Sequence, residues 1–168
     1  KVLQSLYASV QRLALDTSYS GAGTAEFLYE NDEVYFLEVN TRLQVEHGVS
    51  ELTTGVDLVE QMLRIAEGGT LDLPPIMEHE GHAIEFRLYA ENPAKKFFPA
   101  PGTLEVFDLP KLDGVRLDLG FKEGYTVTPF FDPMLAKVLF YGKDREKAVD
   151  IAREWQGLAR IEGLKHNM

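Results

Sequence analysis

The chain has 168 residues, enough to bury a core in one compact domain or in two small ones. It is 45% hydrophobic and 26% charged, the composition of a soluble globular protein, and its net charge of -10 argues against nucleic acid or an anionic membrane surface as a partner. It has no cysteine, which excludes a disulfide framework and thiolate chemistry and fits a reducing compartment; no stretch is apolar for long enough to span a bilayer, and no secretory pattern follows Lys1.

In chain order, Val2, Leu3, Leu6, Tyr7, Val10 and Leu13 fall on one face of a packing helix. Gly21 to Gly23 punctuate the entry to a hairpin. This Gly-x-Gly precedes a strand rather than a helix, so it reads as a tight turn and not as a phosphate cradle. Thr24 to Glu30 and Val34 to Asn40 are β-rich runs on either side of Asn31-Asp32-Glu33. An odd loop with Asp32 at its tip pairs Glu26 with Glu38, Thr24 with Asn40 and Leu28 with Phe36. Ala25, Phe27, Tyr29, Tyr35, Leu37 and Val39 then form the core face. A two-residue loop would instead set Glu26 opposite Leu37. Burying a carboxylate there costs roughly several kcal/mol, so the odd register is expected. It sets two carboxylates about 5 Å apart. Like charges so placed repel unless a cation lies between them. Two Glu and an Asn oxygen suit Mg2+ or Mn2+ beside a phosphate; the plain alternative is a solvated sheet face.

Arg42, Gln44 and Glu46 alternate in what reads as an extended loop and so project to one side, while Leu43 and Val45 anchor it from the other. A guanidinium, an amide and a carboxylate together can hold a small planar oxyanion and remove its proton. His47 reads as a structural hydrogen-bonder. Thr53 or Thr54 is expected to cap a helix from about Val56 to Ala66, striped by Val59, Met62, Leu63 and Ala66 and ended by Gly68-Gly69. The Pro-containing stretch from Leu71 to Gly81 reads as a linker. The domain boundary is placed at its end, giving units of residues 1–80 and 81–168.

His82 to Glu91 alternates as a strand, with Ile84, Phe86 and Leu88 on one face and Glu85, Arg87 and Tyr89 on the other. Arg87 reads either as an ion-pair partner of Glu85 or Glu91 or as a functional group. Lys95 and Lys96 sit in a Pro-rich turn and read as solvated. Thr103 to Leu109, Val115 to Gly120 and Met134 to Tyr141 are β runs that suit a meander. Asp144 caps a final helix with Ala148, Ile151, Ala152 and Trp155 turned inward. The second half is thus an antiparallel sheet with a packed helix, and the fold class is α+β.

Several runs carry a resemblance: Gly21-Ala-Gly-Thr-Ala-Glu-Phe-Leu28, Leu37-Glu-Val-Asn-Thr-Arg-Leu-Gln-Val-Glu-His47, Thr54-Gly-Val-Asp-Leu58, Gly81-His-Ala-Ile-Glu-Phe-Arg87, Phe98-Pro-Ala-Pro-Gly102, Gly124-Tyr-Thr-Val127, Phe131-Asp-Pro-Met134 and Gly163-Leu-Lys165. Together they resemble the biotin carboxylases, the ATP-grasp components of acetyl-CoA, propionyl-CoA, pyruvate and urea carboxylases. The resemblance implies the C-terminal part of an ATP-grasp domain followed by a biotin carboxylase C-terminal domain that is incomplete at its end. It implies ATP, bicarbonate, Mg2+ or Mn2+, and biotin presented on a carrier protein or domain. It further implies a homodimer and a cytoplasmic setting, mitochondrial in a eukaryote, within acyl-CoA carboxylase chemistry such as fatty acid biosynthesis.

By the same resemblance, Glu26, Glu38 and Asn40 match metal ligands. Arg42, Gln44 and the backbone of Val45 match a bicarbonate site. Glu46 matches the base that deprotonates bicarbonate for attack on the γ-phosphate, giving carboxyphosphate. Arg87 matches the group that stabilises the biotin enolate and is expected to reach the loop bearing Arg42 and Glu46. Leu28 and Leu37 match positions near the adenine, although the odd register sends them to opposite faces. Gly48 stands where the family usually has Pro, which is expected to leave Glu46 and His47 less fixed. Tyr89 replaces a common Asn, and Asn92 a common Asp. The family's N-terminal domain and glycine-rich lid have no counterpart in the chain, so it is expected to be inactive alone. Rival readings are a different ATP-grasp carboxylate ligase and a non-catalytic assembly module.

Overall fold

The computed structural model describes residues 2–168. The chain forms two compact units. One contains the residues up to His47 together with Gly55–Met77, and the other contains Gly48–Thr54 together with Glu78–Met168.

In the first unit, helix α1 (Val2–Asp16) precedes the hairpin of β1 (Thr24–Glu30) and β2 (Glu33–Asn40). Leu6, Val10 and Leu13 line a shared hollow with Phe27, Val34 and Phe36, so the helix stripe and one hairpin face meet as apolar periodicity requires. The hairpin corrects the predicted loop. Glu30 pairs with Glu33, leaving a two-residue turn of Asn31 and Asp32, both left-handed at φ 50° and 62°. Asn and Asp tolerate that region, and two such residues in succession match the right-handed twist of the flanking strands. A β-bulge between Glu26 and Phe27 then absorbs one residue of β2. Glu26 still faces Glu38 and Thr24 faces Asn40, as predicted, but Leu28 faces Tyr35 instead of Phe36. Phe27 and Phe36 face each other, their rings edge to face at 5.7 Å. Tyr35 therefore leaves the predicted core face, and Val34 joins it.

Helix α2 (His47–Thr54) has no counterpart in the sequence reading. Gly, Ser and Thr are poor helix formers, and the helix owes its place to contacts made by Gly48 and Glu51 within the second unit. Helix α3 (Leu58–Ala66) begins later than predicted. Its N-cap is Asp57, whose Oδ1 accepts the Glu60 N–H at 2.8 Å; Thr53 and Thr54 instead bond back to Val49 and Ser50 carbonyls at the end of α2. Gly68, at φ 83°, ends α3 as expected.

The core lies in the second unit, which holds all the largest fully buried side chains among the described residues: Trp155, Phe140, Leu104, Leu135, Leu139, Val127 and Val138. Strand β3 (His82–Tyr89) is followed by the short strands β4 (Glu91–Asn92), β5 (Phe98–Pro99), β6 (Gly102–Thr103) and β7 (Val106–Asp108). Strands β8 (Val115–Leu119), β9 (Thr126–Val127) and β10 (Met134–Gly142) precede helix α4 (Arg145–Leu158) and β11 (Arg160–Glu162). The main sheet is antiparallel in the order β3-β10-β8. A simple meander does not form: β7 pairs with β11 from near the chain end, and β6 with β9. Strand β10 is central and nearly continuous in apolar residues because both its faces are covered. Helix α4 has Asp144 as its cap and buries Ala148, Ile151, Ala152 and Trp155, as its periodicity predicts. Trp155 stacks edge to face on Phe140 at 5.5 Å, and its Nε1–H donates to Pro110 O at 3.0 Å, so the indole is buried without an orphaned donor.

Candidate active site

The face of the hairpin turned away from α1 carries the acids. Glu26 and Glu38 are direct cross-strand neighbours, with Asn40 two residues further on. The Asn40 amide nitrogen donates to Glu26 Oε1 at 2.9 Å and to Glu38 Oε1 at 3.1 Å. One NH2 group thus bridges the two carboxylates and offsets their repulsion. Gln44 Nε2 donates to the same Glu26 Oε1 at 2.9 Å, and Arg42 Nη2 to Asn40 Oδ1 at 3.3 Å. The five side chains form one connected polar network, three of them on the strand pair and two on the segment that follows it.

The bulge also decides where the two leucines point. Phe36 and Val39 sit on the inner face, paired with Phe27 and Ala25, so both residues between them, Leu37 and Glu38, turn outward. Leu28, two residues from Glu26, turns outward as well. Leu28 and Leu37 therefore share the carboxylate face, correcting the register argument that separated them. Both are exposed.

The segment after Asn40 is not extended as the alternation of Arg42, Gln44 and Glu46 predicts. It runs as irregular chain into a turn at Val45 and Glu46, because helix α2 starts at His47. His47 braces this turn: its Nδ1 lies 2.8 Å from Gln44 O, and its backbone N–H donates to the same carbonyl at 3.3 Å. This is the structural role expected of it. Leu43 and Val45 are half-buried, whereas Arg42 and Glu46 are exposed.

Gly48 is not a loose joint. It is buried, and a Cβ built on it would come within 2.6 Å of Leu139 Cδ2. Close packing against the sheet holds this position where a Pro ring would restrain it by other means. Three residues on, Glu51 is buried and accepts from Arg116 Nη1 at 2.6 Å. Arg116 also forks onto Asp118 at 2.9 Å and 3.2 Å. The Asp118 hydrogen bonds, then Glu51, raise the guanidinium above its already high value against the opposing effect of burial.

Arg87 stands on β3 in the second unit. Its Nε donates to Glu85 Oε1 at 3.1 Å, an ion pair in which the Glu85 side chain is only 6% exposed. The backbone beside Arg87 is held by Asn167: Nδ2 donates to Arg87 O at 2.9 Å, and Oδ1 accepts the Tyr89 N–H at 2.9 Å. Asn167, Glu51 and Arg116 carry no signal in the sequence that marks them out. Each acts on a residue far along the chain, and no local periodicity marks them.

Residues 85–168 match the family described as the biotin carboxylase C-terminal domain, and residues 1–74 that described as the carbamoyl-phosphate synthase L chain, ATP binding domain. The chain is 44% identical over 168 residues to a biotin carboxylase of Pseudomonas aeruginosa, covering 99% of this chain and 37% of that protein. It is 49% identical over 152 residues to biotin carboxylase 2 of Bacillus subtilis, covering 89% and 34%. It therefore spans little more than a third of these curated relatives. Among solved structures it is similar to the biotin carboxylase domain dimer of Hydrogenobacter thermophilus 2-oxoglutarate carboxylase in complex with MgADP, ADP and bicarbonate. That match has a TM-score of 0.91 at 38% identity and covers 96% of this chain and 36% of that one. It is also similar to Kluyveromyces lactis urea carboxylase, with a TM-score of 0.89 at 44% identity over 95% of this chain and 14% of that one.

Proposed function

Because the chain belongs to the biotin carboxylase family, we propose that it supplies the metal, bicarbonate and general-base groups of an ATP-dependent ligase that carboxylates biotin. The observation that carries this reading is the shared network in which Asn40 bridges Glu26 and Glu38 while Arg42 and Gln44 bond into the same cluster. Such a cluster concentrates negative oxygen donors beside fixed donors for an anion. That pairing is what a phosphate, a divalent cation and bicarbonate require together.

The donor set fits a hard divalent cation. Glu26 and Glu38 already converge on one small positive dipole, the Asn40 NH2 group, and rotation of that amide would turn its oxygen toward the pair. Glu26, Glu38 and Asn40 would hold Mg2+ or Mn2+, which when bound neutralises charge on the ATP phosphates. Arg42, Gln44 and the Val45 backbone bind and orient bicarbonate. Glu46 takes its proton, so that the bicarbonate oxygen attacks the γ-phosphate and forms carboxyphosphate with release of ADP. Arg87 stabilises negative charge on the biotin ureido oxygen while nitrogen takes up CO2. Leu28 and Leu37 contact the adenine. The biotin arrives on a carrier, the enzyme acts as a homodimer in the cytoplasm or mitochondrion, and the carboxyl group passes on to an acyl-CoA or related acceptor.

The test is ADP release by the full-length enzyme as a function of bicarbonate and biotin. Turnover should require bicarbonate, and Glu46→Gln should lower it about a hundredfold or more. ATP turnover indifferent to bicarbonate, or near-normal rates in the Gln variant, would overturn the assignment.

A further inference from the structure

We propose that Asn167 is a positioning residue for Arg87, acting as a one-residue substitute for a missing neighbouring strand. Strand β3 lies at the edge of its sheet, since the order is β3-β10-β8. An edge strand presents N–H and C=O groups with no ladder partner, and its backbone is correspondingly free to shift. Asn167 closes that edge beside Arg87. Its Nδ2 donates to Arg87 O at 2.9 Å, its Oδ1 accepts the Tyr89 N–H at 2.9 Å, and its own N–H donates to Tyr89 O at 3.2 Å. A primary amide carries a donor and an acceptor in one plane, as a peptide group does, so it can pair with both edge groups at once.

The guanidinium is steered from the other end by Glu85, whose buried carboxylate accepts Arg87 Nε. Asn167 thus sets where the Arg87 Cα stands, and Glu85 sets the direction of its side chain. Holding a charge-stabilising group in place before the reaction is where much of its catalytic effect lies, and small displacements are costly. Tyr89 enters the clamp through its backbone N–H and C=O.

This inference rests on the biotin-directed role proposed for Arg87, and the experiment separates the two. Two rates are measured in the full-length enzyme: carboxylation of free biotin, and bicarbonate-dependent ATP hydrolysis without biotin. Asn167→Asp keeps the size and the acceptor but loses the donor to Arg87 O. Its ratio of carboxylation to ATP hydrolysis should fall about ten- to a hundredfold. In an Arg87→Ala background the same change should leave the ratio where Arg87→Ala alone puts it. A purely structural Asn167 would lower both rates together and leave the ratio unmoved, which overturns the proposal, as does an undiminished effect in the Arg87→Ala background. If the Asp variant does not accumulate folded, Asn167→Ser is read by the same ratio with the same two outcomes. Wild-type enzyme whose ATP hydrolysis ignores bicarbonate, or an Arg87→Ala variant that retains its ratio, sinks the functional reading instead of the clamp.

Discussion

Glu51 Oε2 accepts a 2.6 Å hydrogen bond from Arg116 Nη1, which ties helix α2 to strand β8 through a buried carboxylate. The helix begins at His47, directly after Glu46. The ion pair therefore holds the body of α2 within the second unit. Arg116→Ala should destabilise the second unit by about 2–3 kcal/mol, since it strips a buried carboxylate of its guanidinium. Arg116→Lys should recover little, because an ammonium cannot fork onto Asp118 while reaching Glu51. Denaturant midpoints of the three proteins check this, and full rescue by Lys contradicts it.

Asp118 gives the arrangement a pH dependence. Burial pushes its carboxyl up, but the hydrogen bond from Arg116 and the charges of Arg116 and Lys137 outweigh that and hold it below the ordinary 3.8. A group depressed on folding stabilises the fold above its unfolded value and loses that contribution as pH falls through the folded one. Asp118→Asn should therefore cost roughly 1 kcal/mol or less at neutral pH, given partial solvent screening. The gap to wild type should narrow only below pH ~4. Urea titrations at neutral and acidic pH measure it; a gap that stays constant into strong acid contradicts the assignment.

Gly48→Ala should destabilise by about 1 kcal/mol, because the new methyl meets the fully buried Leu139 at 2.6 Å. Leu139→Val placed alongside should return part of that loss. Additive effects of the two changes in thermal unfolding would show that the methyl finds room elsewhere.

Glu26→Gln and Glu38→Gln should each weaken Mn2+ binding to the full-length enzyme roughly tenfold or more, as losing a charged ligand requires. Thr24, on the same strand and opposite Asn40, serves as a neighbouring control. Titration followed by electron paramagnetic resonance reads free Mn2+ directly. Unchanged affinity in both Gln variants would remove the pair from the metal site.

What was legible in the sequence is local. The two hairpin strands, the inward stripe of α4 and its Asp144 cap follow from period-2 and period-3.6 patterns and from capping chemistry, all set by neighbours within a few residues. The facing of Glu26 and Glu38 was also legible, although by a route the structure revises. A two-residue turn and a bulge together restore the register that an odd loop would have set, so two irregularities cancel at the carboxylates and fail to cancel at Leu28, which meets Tyr35. A bulge leaves little trace in an apolar run, because its extra residue can be of almost any type.

The sequence by itself determined the facing acidic pair and the apolar pattern of the second unit, because these depend on residue type and short-range alternation, whereas the path of the Arg-Gln-Glu segment was set by helix α2 at His47. The tertiary structure alone decided that Asn167 closes the edge beside Arg87, that Glu51 and Arg116 hold α2, and that β7 joins β11 instead of a meander neighbour. Those pairings join segments distant along the chain. Each partner has many possible mates of like chemistry, and only the packing of the whole unit around Trp155 and Phe140 selects among them.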